Sequence, residues 1–312
     1  MSCPEQNMST AFAKAFYWPS ISMIALLAGG ITGFQVASKF KPENRDFIPA
    51  GNGYEGDPEA AMKKFAEVKG SDYSKTLEPY EAYHVAFTQF AQEEHTWSQT
   101  LGSSNAAGLV DQGIQATTVH DGNRYFEESN SFSSMVSIYD RMYQEGDSTT
   151  LYWGKTKEYA KHTPVTWTNE EYREKMGRNV SEALVYNVSE ATLIADGKSG
   201  ERANGVYAEG GGYVIEAELS PVYGTLRYKC QMQTISDLAS KPTFDYCHLT
   251  VYADKDLNLV KMTIHEQYNA AIKMGGTAIG SVATSVINIS YYHEAPPFGF
   301  PEIGDPVPYP DK

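Results

Sequence analysis

The spacing of hydrophobic positions changes along the chain. After Asp57, an N-cap with Pro58 at the first helical position, the apolar residues Ala61, Met62, Phe65 and Val68 recur at helical intervals up to Gly70. Tyr83, Ala86, Phe87 and Phe90 repeat that spacing behind Glu78-Pro79 and predict a second helix. From about His95 the period shortens to two. Ile114, Ala116 and Thr118 alternate with Gln115, Thr117 and Val119. Asp121-Gly122 then separates this run from Arg124-Tyr125-Phe126-Glu127, which predicts a hairpin closed by a type I′ turn.

Further strands are expected over 132–143, 149–153, 184–188, 191–194 and 213–219. Thr168-Asn169-Glu170-Glu171 has the form of a capping box opening a short helix, and Ser220-Pro221 opens an amphipathic one through Tyr223, Leu226, Cys230 and Gln233. Leu249, Val251 and Ala253 alternate up to a turn at Asp254-Lys255-Asp256, and Val260, Met262 and Ile264 return. A last strand, 278–292, sets Ile287, Ile289 and Tyr291 against Asn288, Ser290 and Tyr292. Six prolines after His293 bar the tail from a sheet interior. The predicted class is α+β, a large antiparallel sheet with three or four helices.

Residues 15–38 carry no charge, and as a helix they would extend about 36 Å against a hydrocarbon core of about 30 Å. Tyr17 and Trp18 suit the headgroup region at one end. Ala25, Gly29, Gly33 and Ala37 form the small-residue stripe that lets membrane helices self-associate. The reading is one uncleaved N-terminal transmembrane helix; the alternative is a signal peptide cleaved near Val36-Ala37-Ser38. The expected organisation is an N-terminal segment 1–14, the anchor 15–38, a Pro/Gly-rich linker 39–57, a folded body 58–293 and a Pro-rich tail 294–312.

Composition narrows the function. With 39 Asp and Glu against 25 Lys and Arg, a net charge of −14 and no basic patch, the chain is not expected to bind nucleic acid. The 312 residues, 41% hydrophobic, are enough for a sizeable core. Of three cysteines, Cys230 and Cys247 are the only pair in the body. They either form a bridge worth roughly 3 kcal/mol by loop entropy or remain two buried thiols.

The segments YGTLRYKCQMQTISDLASKPTF, HLTVYADKDLNLVKMTIHEQY and SVATSVINISYY between Tyr223 and Tyr292, together with TNEEYREKMG, carry a resemblance. In strand and turn order, over about residues 78–293, the chain resembles the LolA-like lipoprotein-carrier half-barrel class and a family of uncharacterised exported proteins of Gram-positive bacteria. The resemblance implies a curved, half-barrel-like sheet whose concave face, lidded by helices, encloses an apolar ligand. Leu249, Val251, Val260, Met262, Ile264, Ile287, Ile289 and Tyr291 are the residues expected to line it; the alternative is that they close a core with the helices. Lys39, Lys41 and Arg45 follow the span while Lys14 precedes it, which argues for a cytoplasmic body. The exported family argues for the outside, and an extracytoplasmic body at the cell membrane is the reading adopted.

The chain carries no catalytic motif such as GxSxG, SxxK or HExxH. Gly210-Gly211-Gly212 precedes a strand and reads as a turn rather than a phosphate cradle. His248 and His265 flank one hairpin, but strict alternation sends the adjacent Glu266 to the opposite face, so no metal site is expected, and no cofactor. Glu93-Glu94, Glu127-Glu128 and Glu170-Glu171 read as helix starts or solvated strand ends, and Trp97, Tyr152, Trp153 and Trp167 as cross-strand packing. The expectation is a membrane-anchored, non-enzymatic protein that binds an apolar or lipid-like ligand or supports envelope assembly. The alternative is a surface hydrolase or carbohydrate-binding module, marked by a polar cleft where perturbed carboxylates or exposed tryptophans converge. A spacer without a pocket is a third possibility.

Overall fold

The computed structural model describes residues 53–55, 58–106, 110–133, 137–176, 192–194, 198–199, 202–219, 243–274 and 277–310. Among them are helices α1 (Pro58–Glu67), α2 (Tyr73–Thr76), α3 (Pro79–Gln92) and α4 (Asn169–Met176). The strands of the first half are β1 (Gly53–Glu55), β2 (His95–Ala106), β3 (Val110–Asp121), β4 (Arg124–Ser133), β5 (Ser137–Glu145), β6 (Ser148–Gly154) and β7 (Val165–Thr168). Those of the second are β8 (Thr192–Ile194), β9 (Lys198–Ser199), β10 (Arg202–Ala203), β11 (Gly205–Glu209), β12 (Gly212–Leu219), β13 (Thr243–Ala253), β14 (Leu259–Met274) and β15 (Thr277–Tyr292).

Thirteen strands pair into one curved, unclosed antiparallel sheet in the order β1-β8-β12-β13-β14-β15-β2-β3-β4-β5-β6-β7, with β11 also on β12. Two meanders, β2–β7 and β12–β15, meet where β15 pairs β2. Within β2–β6 and β13–β15 each strand follows its neighbour after at most five residues, and both path ends are short strands, which limits exposed edge. β1 lies inside the stretch read as a linker. Its three residues need only backbone groups to pair with β8, so hydrophobic spacing could not announce them.

The turns follow local chemistry with one correction. Gly122 has φ +63° and is the only residue of the Gly122-Asn123 loop in the left-handed region, the pattern of a type II′ turn rather than the expected I′. Gly210 and Gly211 both have positive φ and close the β11–β12 hairpin, as a turn. The capping box of α4 is complete: Glu171 N–H donates to Thr168 Oγ1 at 3.1 Å, and Thr168 N–H to Glu171 Oε2 at 3.0 Å.

The helices cover one face of the sheet, here called inner. α3 presents Ala82, Val85, Ala86, Phe87 and Phe90 to a cluster that includes Ile215, Ala217, Leu249, Val251, Met262, Ile264 and Tyr291. α1 adds Ala61 and Phe65, and its Lys64 reaches Glu81 of α3 at 2.5 Å. Full burial of such side chains is worth about 1.5–3 kcal/mol each, which explains why helices of 10 and 14 residues are stable here. A smaller inner cluster, Met142, Leu151, Trp167 and Tyr172, sits at the β5–β7 end beside α4. On the outer face Trp97, Val119, Phe126 and Val307 form a third.

The anchor 15–38, its stripe of small residues, the strand expected over 184–188, the helix expected from Ser220 and Cys230 lie outside the described residues. Among the described residues, no helix is long and apolar enough to cross a membrane.

Candidate functional site

Five of the expected ligand-lining residues are sealed. Leu249, Val251 and Met262 are completely buried, Ile264 and Tyr291 nearly so, all packed in the cluster under α3. The apolar patch at these positions is a closed core, as it must be once two amphipathic helices lie on it. Val260 is a different case: at 49% exposure it faces away from the core. Tyr252 pairs with Lys261 but Ala253 with Leu259, so Val260 is the extra residue of a β-bulge and the inward place passes to Leu259, which is fully buried. Ile287 and Ile289 are only partly buried, at the margin of the same cluster.

Beyond that margin the inner face changes character. Directly paired residues share a face, so register assigns its rows. One row runs Ile289, Thr100, Ala116, Ser129, Asp140, Trp153 across β15, β2, β3, β4, β5 and β6. The next runs Tyr291, Ser98, Thr118, Glu127, Met142, Leu151. Gly102 lies on the other side of the first row, where an added Cβ would approach Ile114 Cγ2 to 2.7 Å. Large apolar side chains therefore stand at both ends of these rows and small ones between. The stretch of inner face between them, carrying Ser98, Thr100, Ala116, Thr118 and Ser129, is called the trough below. Tyr125, packed against both inner clusters, narrows it at one side.

Several buried polar atoms on this face have no partner among the described residues. Thr96 Oγ1, His120 Nδ1, Tyr291 OH and Asp140 Oδ1 are buried and lack a hydrogen-bond partner among the described residues. All four project from the inner face in this region, and His120 is held flat against Tyr125 with ring centroids 4.4 Å apart. Buried polar atoms without partners are uncommon, and each costs about 1–3 kcal/mol unless water or a ligand meets it. Burial, and then the charge of neighbouring Glu127, push the Asp140 carboxyl up to about 7. Burial also drives the Tyr291 hydroxyl well above its ordinary value.

Several expected chemical groups are dispersed. Glu127 and Glu128 are neither a helix start nor a solvated end: both are buried in mid-strand on opposite faces, Glu127 in the trough and Glu128 outside it. Of the aromatics, only Trp153 reaches the trough; Trp97 stacks on Tyr292 outside, at 3.9 Å, and Trp167 packs against Tyr172. His248 stands directly opposite His265 across β13 and β14, but its imidazole engages two carboxylates of β12. Its Nε2 lies 2.6 Å from Glu216 Oε2 and its Nδ1 3.2 Å from Glu218 Oε1, the first a hydrogen bond and the second an ion-pair contact without hydrogen-bond alignment. Glu266 lies on the inner face, buried, with Cys247 Sγ 3.6 Å from its Oε1, a donation that a thiol makes. Among the described residues no cluster of His, Cys, Asp and Glu is arranged to hold a metal ion.

Sequence reasoning missed Glu127, Ser129 and Asp140. Their signal was weak: Glu127 was read as a helix start or solvated strand end because it is charged, and Ser129 and Asp140 stand in strand runs without any motif around them.

No protein-family model matches the chain, and no curated protein matches it either. Among solved structures it is similar to the LolA superfamily protein NE2245 from Nitrosomonas europaea, at 8% identity and a TM-score of 0.25, over 69% of this chain and 92% of that one. It is also similar to Rv2717c from M. tuberculosis, at 11% identity and a TM-score of 0.20, over 64% and 95% respectively. Scores this low settle neither ligand nor activity, and the curved sheet rests on the strand pairing given above.

Proposed function

We propose that this protein binds and shields an amphipathic, lipid-like small molecule in the inner-face trough, without catalysing a reaction. The observation that carries the reading is the coincidence of buried polar atoms without partners on Asp140, Thr96 and His120 with a floor of short side chains between two apolar walls. Ile287, Ile289 and Trp153 offer apolar contact to the body of such a ligand, and Asp140, Thr96 and His120 offer hydrogen bonds to polar groups along it. The site differs from the expected one: the ligand lies beside the helix-covered core, not within it. The charge-free run 15–38 supports attachment to a membrane, where such ligands are found, and the extracytoplasmic placement rests on the family resemblance alone.

The test is native mass spectrometry of the purified chain, with displacement of a fluorescent fatty-acid probe. A bound amphiphile is expected, and Thr118→Phe or Ser129→Leu, which fill the trough, are expected to weaken the probe at least tenfold. A chain that takes up no probe, or whose filled variants bind it equally well, overturns the reading.

One observation favours a second reading. A carboxyl raised to about 7 beside another acid is the arrangement of a general acid, which a surface hydrolase requires. Turnover of chromogenic glycosides or esters that disappears in Asp140→Asn would establish it in place of simple binding.

A further inference from the structure

Residues 296–310 cross the outer face of the sheet as an extended segment whose only internal backbone bonds are two tight turns, Gly299 N–H to Pro296 O at 2.9 Å and Asp305 N–H to Glu302 O at 3.1 Å. The sheet meets it mainly with donors. Arg141 Nη1 and Nη2 donate to the carbonyls of Glu302 and Asp305 at 2.8 and 2.6 Å. Thr117 Oγ1 and Gln99 Nε2 donate to that of Pro308 at 2.6 and 3.4 Å, and Gln115 Nε2 to that of Pro310 at 3.2 Å. Every one of these bonds reads a main-chain carbonyl, and none reads a side chain.

Side chains of the tail fill the places between. Val307 is buried against Trp97, Val119 and Phe126, Phe298 stands edge-on to Trp97 at 5.6 Å, and Phe300 takes the Arg124 guanidinium over its ring at 4.2 Å. Tyr309 OH donates to Glu128 Oε1 at 2.6 Å while Lys157 Nζ sits 3.9 Å over its ring. Side-chain donors aimed at carbonyls, with aromatic slots between them, are the features of sites that take extended proline-rich peptides. Proline suits such a site because it offers no N–H that must be satisfied and loses little freedom on binding. The link to the body passes through Glu294 and Ala295, both exposed.

We infer that the outer face of β2–β5 is a recognition groove for an extended proline-rich peptide, of which residues 296–310 are the resident occupant, held in cis and exchangeable for the same segment in trans. This inference does not depend on the trough.

The test uses the whole folded chain with a protease recognition sequence inserted between Glu294 and Ala295. After cleavage, the released fragment is expected to co-elute with the body on gel filtration and to exchange with a fluorescent synthetic peptide of residues 295–312. A peptide of reversed sequence is expected not to compete, and Thr117→Val to weaken the labelled peptide about fivefold, as loss of one hydrogen bond does. Four results overturn the inference: a body that unfolds on cleavage, a fragment that never exchanges, equal binding of the reversed peptide, or a Thr117→Val variant that binds unchanged.

Discussion

Arg141 and Glu128 face each other across β4 and β5 with 1% of either side chain exposed. Arg141 Nε donates to Glu128 Oε2 at 2.9 Å, its Nη2 reaches the same oxygen, and the guanidinium stacks over Tyr159 at 4.3 Å. Their strand neighbours, Glu127 on one side and Asp140 and Met142 on the other, point to the opposite face. The same two strands thus carry an ion pair under the tail and a carboxyl cluster in the trough, back to back.

A buried pair tolerates the loss of one partner badly, because the survivor keeps its charge without compensation. Glu128→Gln is expected to lower unfolding stability by about 3 kcal/mol in urea titration. The double variant Glu128→Leu/Arg141→Met is expected to lose less than the sum of its single changes. A loss below about 1 kcal/mol in Glu128→Gln would mean the pair is not buried in solution.

Asp140 sets a pH dependence of one sign. Its folded carboxyl titrates near 7, above its ordinary value of 3.8, so between those limits the folded state holds a proton that the unfolded state has released. Stability contributed by the neutral form is present below about 4 and is lost as pH rises through 7. Asp140→Asn is therefore expected to stabilise the protein at pH 8 by about 2 kcal/mol and to have little effect at pH 4. Equal effects at both pH values would contradict a raised carboxyl.

His248 has the opposite source and works over a different window. Burial disfavours its charge, but the hydrogen bond to Glu216 and the close carboxylate of Glu218 prevail and lift it from 6.5 to about 9. Its stabilising contribution is complete below pH 6.5 and vanishes above 9. His248→Gln is expected to cost on the order of 2 kcal/mol at pH 6 and close to nothing at pH 10. An NMR titration of the imidazole with a midpoint near 6.5 would refute this.

The bulge in β14 separates two apolar residues of similar appearance. Leu249→Ala, in the closed core, is expected to cost about 3 kcal/mol. Val260→Ser, with its side chain 49% exposed, is expected to change stability by less than about 0.5 kcal/mol. Thermal denaturation of the two variants decides the matter.

The period-two runs from His95 onward, the Gly-containing hairpins and the helices behind Pro58, Pro79 and Thr168 were legible because each depends on residues within a few positions of one another. The inward alternation of Leu249, Val251, Met262 and Ile264 was equally clear. A pattern shows which side chains leave water; it does not show what they meet, so a core closed by α1 and α3 and a lining for a ligand look the same in the chain.

Tertiary structure alone decided what covers each face. Residue 260 faces outward because of the register shift opposite Tyr252 and Ala253. The prolines after His293 excluded a strand but could not reveal the strap, since its partners, Gln99, Thr117 and Arg141, lie more than 150 residues earlier. Glu127 looked solvated because a charge in a sequence is by default assigned to water. Local hydrogen bonding and side-chain alternation are set by neighbours in the chain; burial of a charge, the seat of a tail and the depth of a trough are set by which distant strands fold against each other.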